Sequence, residues 1–232
     1  LMLALAKMGV VKIPVNMGLG EDEKFYVLKQ SEANWAIGIK LPAVEKREDL
    51  KQVRLINTND SWDDIFKAGE SIPDETIEAI EEQYRDPKGV CDIMYTSGST
   101  SFPKGVMLTH DMLLRSSYAT CRTRLMEEGR RLFIPIPFYH IFAYNEGILP
   151  MMYVGGTIII SEHKFEPLET LELMKKYEAN DIICVSFVMI QILSEGKPKL
   201  EDFPHMHAAY WASTCPEWVW DAGRKAFGIT DV

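Results

Sequence analysis

The chain predicts an α/β fold, mostly parallel sheets flanked by helices, from three observations. Strand-like runs alternate with helical patterns along its 232 residues, the arrangement that covers a parallel sheet on both faces. Apolar residues make up 47% and charged residues 25%, enough to build a core. No internal repeat or low-complexity tract interrupts the alternation.

Taken in order, Val10 to Val15, Ala36 to Ile39 and Val53 to Ile56 read as strands. Residues 45–88 hold 13 acidic and 7 basic side chains, and Ile77, Ile80 and Tyr84 recur at helical spacing behind Pro73. That stretch is expected to be a linker and a solvated helix face. Strands follow at Ile93 to Thr96 and Val106 to Leu108, then a helix over Asp111 to Met126 that His110 caps or packs. Leu132 to Ile136 and Thr157 to Ser161 read as strands. The clearest helix is Pro167 to Tyr177, where Leu168, Leu171, Leu173 and Met174 share a face and Lys175 and Lys176 load the C-terminal end. Strands at Asp181 to Ser186 and Ala208 to Ala212 precede a last helix, Glu217 to Phe227, stopped by Gly228.

Several function classes are excluded or left unsupported. A net charge of −9 argues against a nucleic-acid or anionic-membrane surface as main partner. The longest apolar stretches, such as Ile182 to Val185, are too short to span a bilayer, and no secretory segment is visible. Cys91, Cys121, Cys184 and Cys215 form no C-x-x-C pair and read as reduced thiols of a cytoplasmic protein. His205 and His207 fall on one strand face with no further ligand at metal spacing. Length gives no domain count. The chain begins inside a helical pattern, Leu1 to Ala6, with no cap residue ahead of it, so it is expected to be cut at its start.

The chemistry concentrates in residues 95–110, Tyr-Thr-Ser-Gly-Ser-Thr-Ser-Phe-Pro-Lys-Gly-Val-Met-Leu-Thr-His. Thr96, Ser97, Ser99 and Thr100 offer four hydroxyls, Gly98 and Gly105 let the backbone approach a ligand, and Lys104 supplies a mobile cation. Such a loop can wrap a polyphosphate with N–H groups and hydroxyls. It is not a Walker loop, because no Gly-Lys-Ser/Thr step follows Gly98 and a strand rather than a helix comes next.

The stretch resembles the signature of the adenylate-forming (AMP-binding) superfamily, which holds acyl-CoA synthetases, luciferases and adenylation domains. The family pattern runs Ser/Thr-Ser-Gly-Ser/Thr-Thr-Gly-x-Pro-Lys-Gly-Val and then Thr-His, and only Ser101 departs from it, standing in place of glycine. Three further segments keep the family's order: Leu5 to Asn16, Ile136-Pro137-Phe138-Tyr139-His140-Ile141-Phe142-Ala143, and Gly155 to Ile160 followed by Lys164-Phe165. The family's Tyr-Gly-x-Ser/Thr-Glu motif does not appear before Val232. The resemblance therefore implies an incomplete N-terminal AMP-binding domain over residues 1–232, cut at both ends and without the C-terminal domain.

It also implies roles. Thr96, Ser97, Gly98, Ser99, Thr100, Ser101 and Lys104 would bind ATP, with Lys104 offsetting charge on the leaving pyrophosphate. The residue that mainly holds Mg2+ would lie outside this chain. If the family glycine has φ > 0, Ser101 strains the loop by about 1–2 kcal/mol; if not, it adds a fifth hydroxyl. His140 would orient or gate the meeting of acyl-adenylate and thiol, although a lone histidine in an apolar turn can be purely structural. Phe142 and Ala143, with Asn145, would border the acyl pocket or simply pack the core. Trp211 and Ser213 lie where the family places a small-residue turn under adenine and acyl group, and Lys164 would face CoA phosphates or solvent. The implied function is carboxylic-acid activation with ATP and then thioester formation with CoA, a long- or medium-chain fatty acid favoured. The alternatives are a carrier-protein phosphopantetheine thiol as acceptor, or a non-catalytic fragment or paralogue that binds nucleotide weakly.

Overall fold

The computed structural model describes residues 1–39, 41–96, 103–161, 164–212 and 215–229, without the side chains of residues 60 and 61. The chain divides into two compact units, Leu1–Met112 and Leu113–Val232.

The first unit opens with helices α1 (Met2–Lys7) and α2 (Glu21–Gln30). Three acidic residues in the first turn of α2 complement its exposed N–H groups, and Glu23 accepts from the Gly20 N–H at 3.0 Å. Strands β1 (Trp35–Gly38) and β2 (Arg54–Asn57) pair in parallel, above a small core of Phe25, Leu28, Ala33, Val44, Leu50 and Val53. Helices α3 (Thr58–Gly69) and α4 (Asp74–Gln83) bury none of their described side chains, the solvated face expected of this acidic stretch.

Strands β3 (Val90–Thr96) and β4 (Lys104–Thr109) then form an antiparallel hairpin from Val90↔Thr109 to Thr96↔Lys104. Both are longer than the runs read from the sequence: β3 gains Val90, Cys91 and Asp92 at the end away from the loop, and β4 gains Lys104 and Gly105 beside the loop and Thr109 at its far end. The register shifts at Cys91, where β3 carries one residue more than its partner. The expected strand at Val10 to Val15 does not form. Lys12 alone makes a parallel bridge to Asp92, its N–H donating to the Cys91 carbonyl and its own carbonyl accepting from Ile93, both at 2.9 Å. Val10 and Val11 stay exposed.

Helix α5 (His110–Thr123) carries the chain into the second unit. Its cap is Thr109, whose hydroxyl accepts from the Met112 N–H at 3.2 Å, so His110 is the first helical residue and not the cap. The second unit is built on a four-stranded parallel sheet of β5 (Arg131–Phe133), β6 (Thr157–Ile159), β7 (Asp181–Val185) and β8 (Ala208–Ala212), in the order β6-β5-β7-β8. Between β5 and β6 run α6 (Ile141–Ala143), a π-turn (Tyr144–Ile148) and α7 (Leu149–Val154) without a break. Helix α8 (Pro167–Lys176) leads to β7, α9 (Ser186–Gln191) and a second π-turn follow it, and α10 (Glu217–Phe227) follows β8. Gly228 ends α10 in the left-handed region at φ 63°.

The sheet and its helices enclose Leu132, Phe133, Met151, Ile182, Ile183 and Phe227, all essentially inaccessible. Each such side chain contributes roughly 1.5–3 kcal/mol of burial. At the N-terminal ends of the strands, Arg130 pairs with Asp181 at 3.1 Å inside the protein. Cys91, Cys121 and Cys184 are buried and Cys215 is half-buried. Burial pushes the Cys91 thiol up to about 11 and raises that of Cys184 as well. Among the described residues no helix is long and apolar enough to cross a membrane.

Candidate functional site

In the first unit, the hairpin fixes both ends of the hydroxyl-rich loop. Thr96 and Lys104 face each other on its last rung, both exposed. Ser97, Gly98, Ser99, Thr100 and Ser101 lie outside the described residues. One rung further down, Tyr95 pairs with Gly105. A Cβ at Gly105 would stand 2.8 Å from Ile93 Cγ2 and 3.3 Å from Tyr95 Cζ, so glycine is the residue that lets the tyrosine ring cross the ladder. The Tyr95 hydroxyl donates to Gln30 Oε1 at the end of α2. Burial raises the Tyr95 pKa, which keeps the phenol protonated as that donor.

Further down β3, Asp92 is fully buried and meets the Lys12 ammonium. Desolvation raises the Asp92 carboxyl above its ordinary range, and the hydrogen bond and charge of Lys12 oppose the rise. The pair fastens the Lys12 segment to the strand that delivers the loop. It lies four residues before Thr96.

In the second unit, the strand order sets the site. The chain leaves β5 toward β6 on one side, while β7 and β8 lie on the other, so β5 and β7 flank a point where the winding direction reverses. In open parallel sheets ligands bind outside the carboxyl ends of strands at such a point. The segment Ile134 to His140 emerges there from β5, and Ser186 begins α9 immediately after β7. His140 is exposed and caps α6, its Nδ1 accepting from the Phe142 N–H at 3.2 Å. With Nδ1 engaged as acceptor, the neutral ring carries its proton on Nε2.

The remaining expected residues are distributed around that sheet edge. Phe142 is half-buried against the core, and Ala143 is fully buried in it. Trp211 lies near the end of β8, its ring 4.0 Å from that of Trp220 and its buried Nε1 without a partner among the described residues. Lys164 is exposed on the chain leaving β6, and Ser213 lies outside the described residues. Ser186 at the reversal point, and Ser117 of α5 and Arg124 just after it, which contact the π-turn after His140, were missed by sequence reasoning. Pro150, inside a helical run, was the signal for the π-turn.

Comparison with known proteins agrees with this geometry. The chain is 28% identical to the putative acyl-CoA synthetase YngI of Bacillus subtilis over 99% of its length and 47% of that protein. It is 22% identical to a crotonobetaine/carnitine–CoA ligase of Salmonella enteritidis, over 97% of the chain and 45% of the ligase. The chain thus spans about half the length of these relatives. Its fold matches the N-terminal domain of FACL13 from Mycobacterium tuberculosis with a TM-score of 0.78 at 21% identity, covering 99% of this chain and 57% of that one. ATP-bound MatB from Rhodopseudomonas palustris matches with a TM-score of 0.74 at 19% identity, over 98% of this chain and 44% of that one. The AMP-binding enzyme family model matches residues 1–232 throughout, and the chain belongs to that family.

Proposed function

We propose that the chain is the nucleotide-handling part of a carboxylic-acid ligase that joins an acid to AMP and then passes the acyl group to a thiol, CoA in the first instance. The observation that carries this reading is the rung Thr96↔Lys104, which sets a hydroxyl and an ammonium side by side at the mouth of a loop of serine, threonine and glycine. A substrate carboxylate oxygen attacks the α-phosphorus of ATP while the bond to pyrophosphate breaks. The loop hydroxyls and N–H groups hold the phosphate chain, and Lys104 offsets the charge that builds on the departing pyrophosphate. Among the described residues no three His, Cys, Asp or Glu side chains gather to hold a magnesium ion.

In the second step the thiol gives its proton to solvent and its sulfur attacks the acyl carbon, while the bond from that carbon to the AMP phosphate oxygen breaks. A proton on Nε2 makes His140 a donor to the acyl-adenylate carbonyl and to the oxyanion that forms from it, an orienting role and not that of a base toward the thiol. Trp211 and Phe142 border the acyl group, and Lys164 meets the CoA phosphates. Similarity to acyl-CoA synthetases makes fatty acids the first substrates to try.

The test is ATP–pyrophosphate exchange on the full-length protein across a panel of carboxylic acids, followed by thioester formation with CoA. Exchange driven by at least one acid and abolished by Lys104→Ala is the expected result. Exchange with none overturns the reading and leaves a nucleotide-binding relative without turnover.

A further inference from the structure

We infer that Arg124 and Glu146 are positioning residues for His140, acting through the π-turn that joins α6 to α7; the role in the reaction rests on the function proposed above. The chain of cause begins at Pro150. Proline has no N–H, so it cannot donate to the carbonyl of Glu146 four residues back, and its ring presses on that carbonyl. The helix widens there: the Leu149 N–H reaches five residues back to the Tyr144 carbonyl. Two carbonyls, of Asn145 and Glu146, are thereby left without their usual helical donors.

Side chains of α5 and of Arg124, just beyond its end, face these carbonyls. Arg124 Nη1 donates to the Glu146 carbonyl at 3.0 Å, while the Ser117 hydroxyl, whose nearer acceptor is the Leu113 carbonyl at 2.7 Å, lies 3.0 Å from the Asn145 carbonyl. Arg124 Nη2 donates to the Glu146 carboxylate at 2.9 Å, and Thr120 donates to the same oxygen at 2.8 Å. The guanidinium thus holds the backbone and side chain of one residue at once, a geometry that its fork suits and an ammonium does not. The group also packs against the Tyr210 ring on β8, its Cζ 4.4 Å from the ring centre.

The π-turn sits directly on the element that His140 caps, since the Tyr144 N–H donates to the His140 carbonyl at 3.2 Å. One extra residue in a helix rotates the part before it by about 100° against the part after it, from 3.6 residues per turn. Closing the π-turn to ordinary α geometry would therefore swing α6 and its cap away from where the sheet edge now receives them. Holding it open is what fixes the direction in which Nε2 presents its proton.

Three substitutions in the full-length protein test this: Arg124→Met, Glu146→Ala and Pro150→Ala, with Glu146→Gln as the conservative control. Pro150→Ala restores a donor to the helix, so it relaxes the π-turn without removing a hydrogen bond. Each of the three is expected to slow acyl transfer to CoA by about ten- to a hundredfold while pyrophosphate exchange stays within about twofold. Glu146→Gln, which keeps an oxygen for Arg124 and Thr120 but sets an NH2 against Asn145 Nδ2, is expected to fall between the parent and Glu146→Ala. The imidazole 15N signals of His140, read independently of turnover, are expected to shift at Nε2 in the three variants, while Nδ1 keeps its acceptor pattern because the Phe142 N–H moves with the cap. Equal losses in both half-reactions, or an unchanged ratio whatever the His140 signals do, overturn the inference. Absence of exchange in the parent protein sinks the proposed function instead, and then unchanged His140 signals in the variants overturn the positioning through the π-turn.

Discussion

Lys12 and Asp92, 80 residues apart in the chain, form an ion pair whose side chains are 4% and 0% exposed. A buried pair broken on one side leaves a charge with nothing to answer it, a cost of about 3–5 kcal/mol. Lys12→Met is therefore expected to lower the melting temperature sharply. Lys12→Met combined with Asp92→Leu removes both charges and is expected to recover most of the loss. Equal destabilisation in single and double variants would show that the pair is incidental packing.

The same site gives a pH dependence. Burial holds the Asp92 carboxyl above its unfolded value, so the folded state binds that proton more tightly than the unfolded chain. Its contribution is most favourable below the unfolded value and is lost as pH rises through the folded one. Without the lysine the rise is larger. Chemical denaturation of Lys12→Met is thus expected to show a smaller deficit near pH 4 than at pH 7, and a deficit that grows on acidification would contradict this.

Gly105→Ala is expected to cost about 1–3 kcal/mol, because the new methyl would enter the space between Ile93 and the Tyr95 ring. The ring must move, and its hydrogen bond to Gln30 with it. Thermal denaturation reads the first effect. ATP titration of the full-length protein reads the second, with weaker binding expected.

At His140 the cap and the chemistry can be separated. His140→Ala removes the acceptor for the Phe142 N–H and is expected to cost about 1 kcal/mol. Asparagine is a good cap residue, so His140→Asn is expected to regain that stability. Neither variant is expected to regain acyl transfer in the full-length protein. Recovery of the transfer rate by asparagine would mean that only the cap matters.

Ser101→Gly is expected to tighten ATP binding by about 5–30-fold, the equivalent of 1–2 kcal/mol of relieved backbone strain. Calorimetric titration of the full-length protein measures it. Unchanged affinity rejects the strain account in favour of a fifth hydroxyl.

How much of the fold was legible in the sequence depends on how local each signal is. Helix α10 has the limits read from its pattern, Glu217–Phe227, because Pro216 and Gly228 mark its two ends chemically. Strand β8 likewise keeps Ala208–Ala212. Val10 to Val15 looked equally strand-like, yet a strand needs a partner along its length, and among the described residues only Asp92 provides one, at a single residue. The Lys12–Asp92 pair was invisible for the same reason: nothing within a few positions of either residue announces the other. At the candidate site, the loop stood out by its composition, whereas His140 was singled out only by the family motif on which it falls. Arg124 and Glu146 were not, since a guanidinium 22 residues from the carbonyl it holds has no local signature.

The placement of the four cysteines makes each unit report on its own opening. Cys91 is shut inside the first, Cys121 and Cys184 inside the second, while Cys215 keeps partial contact with solvent. An alkylating reagent followed by mass spectrometry would thus tag Cys215 promptly and the other three only as their surroundings loosen, giving two internal clocks within one chain.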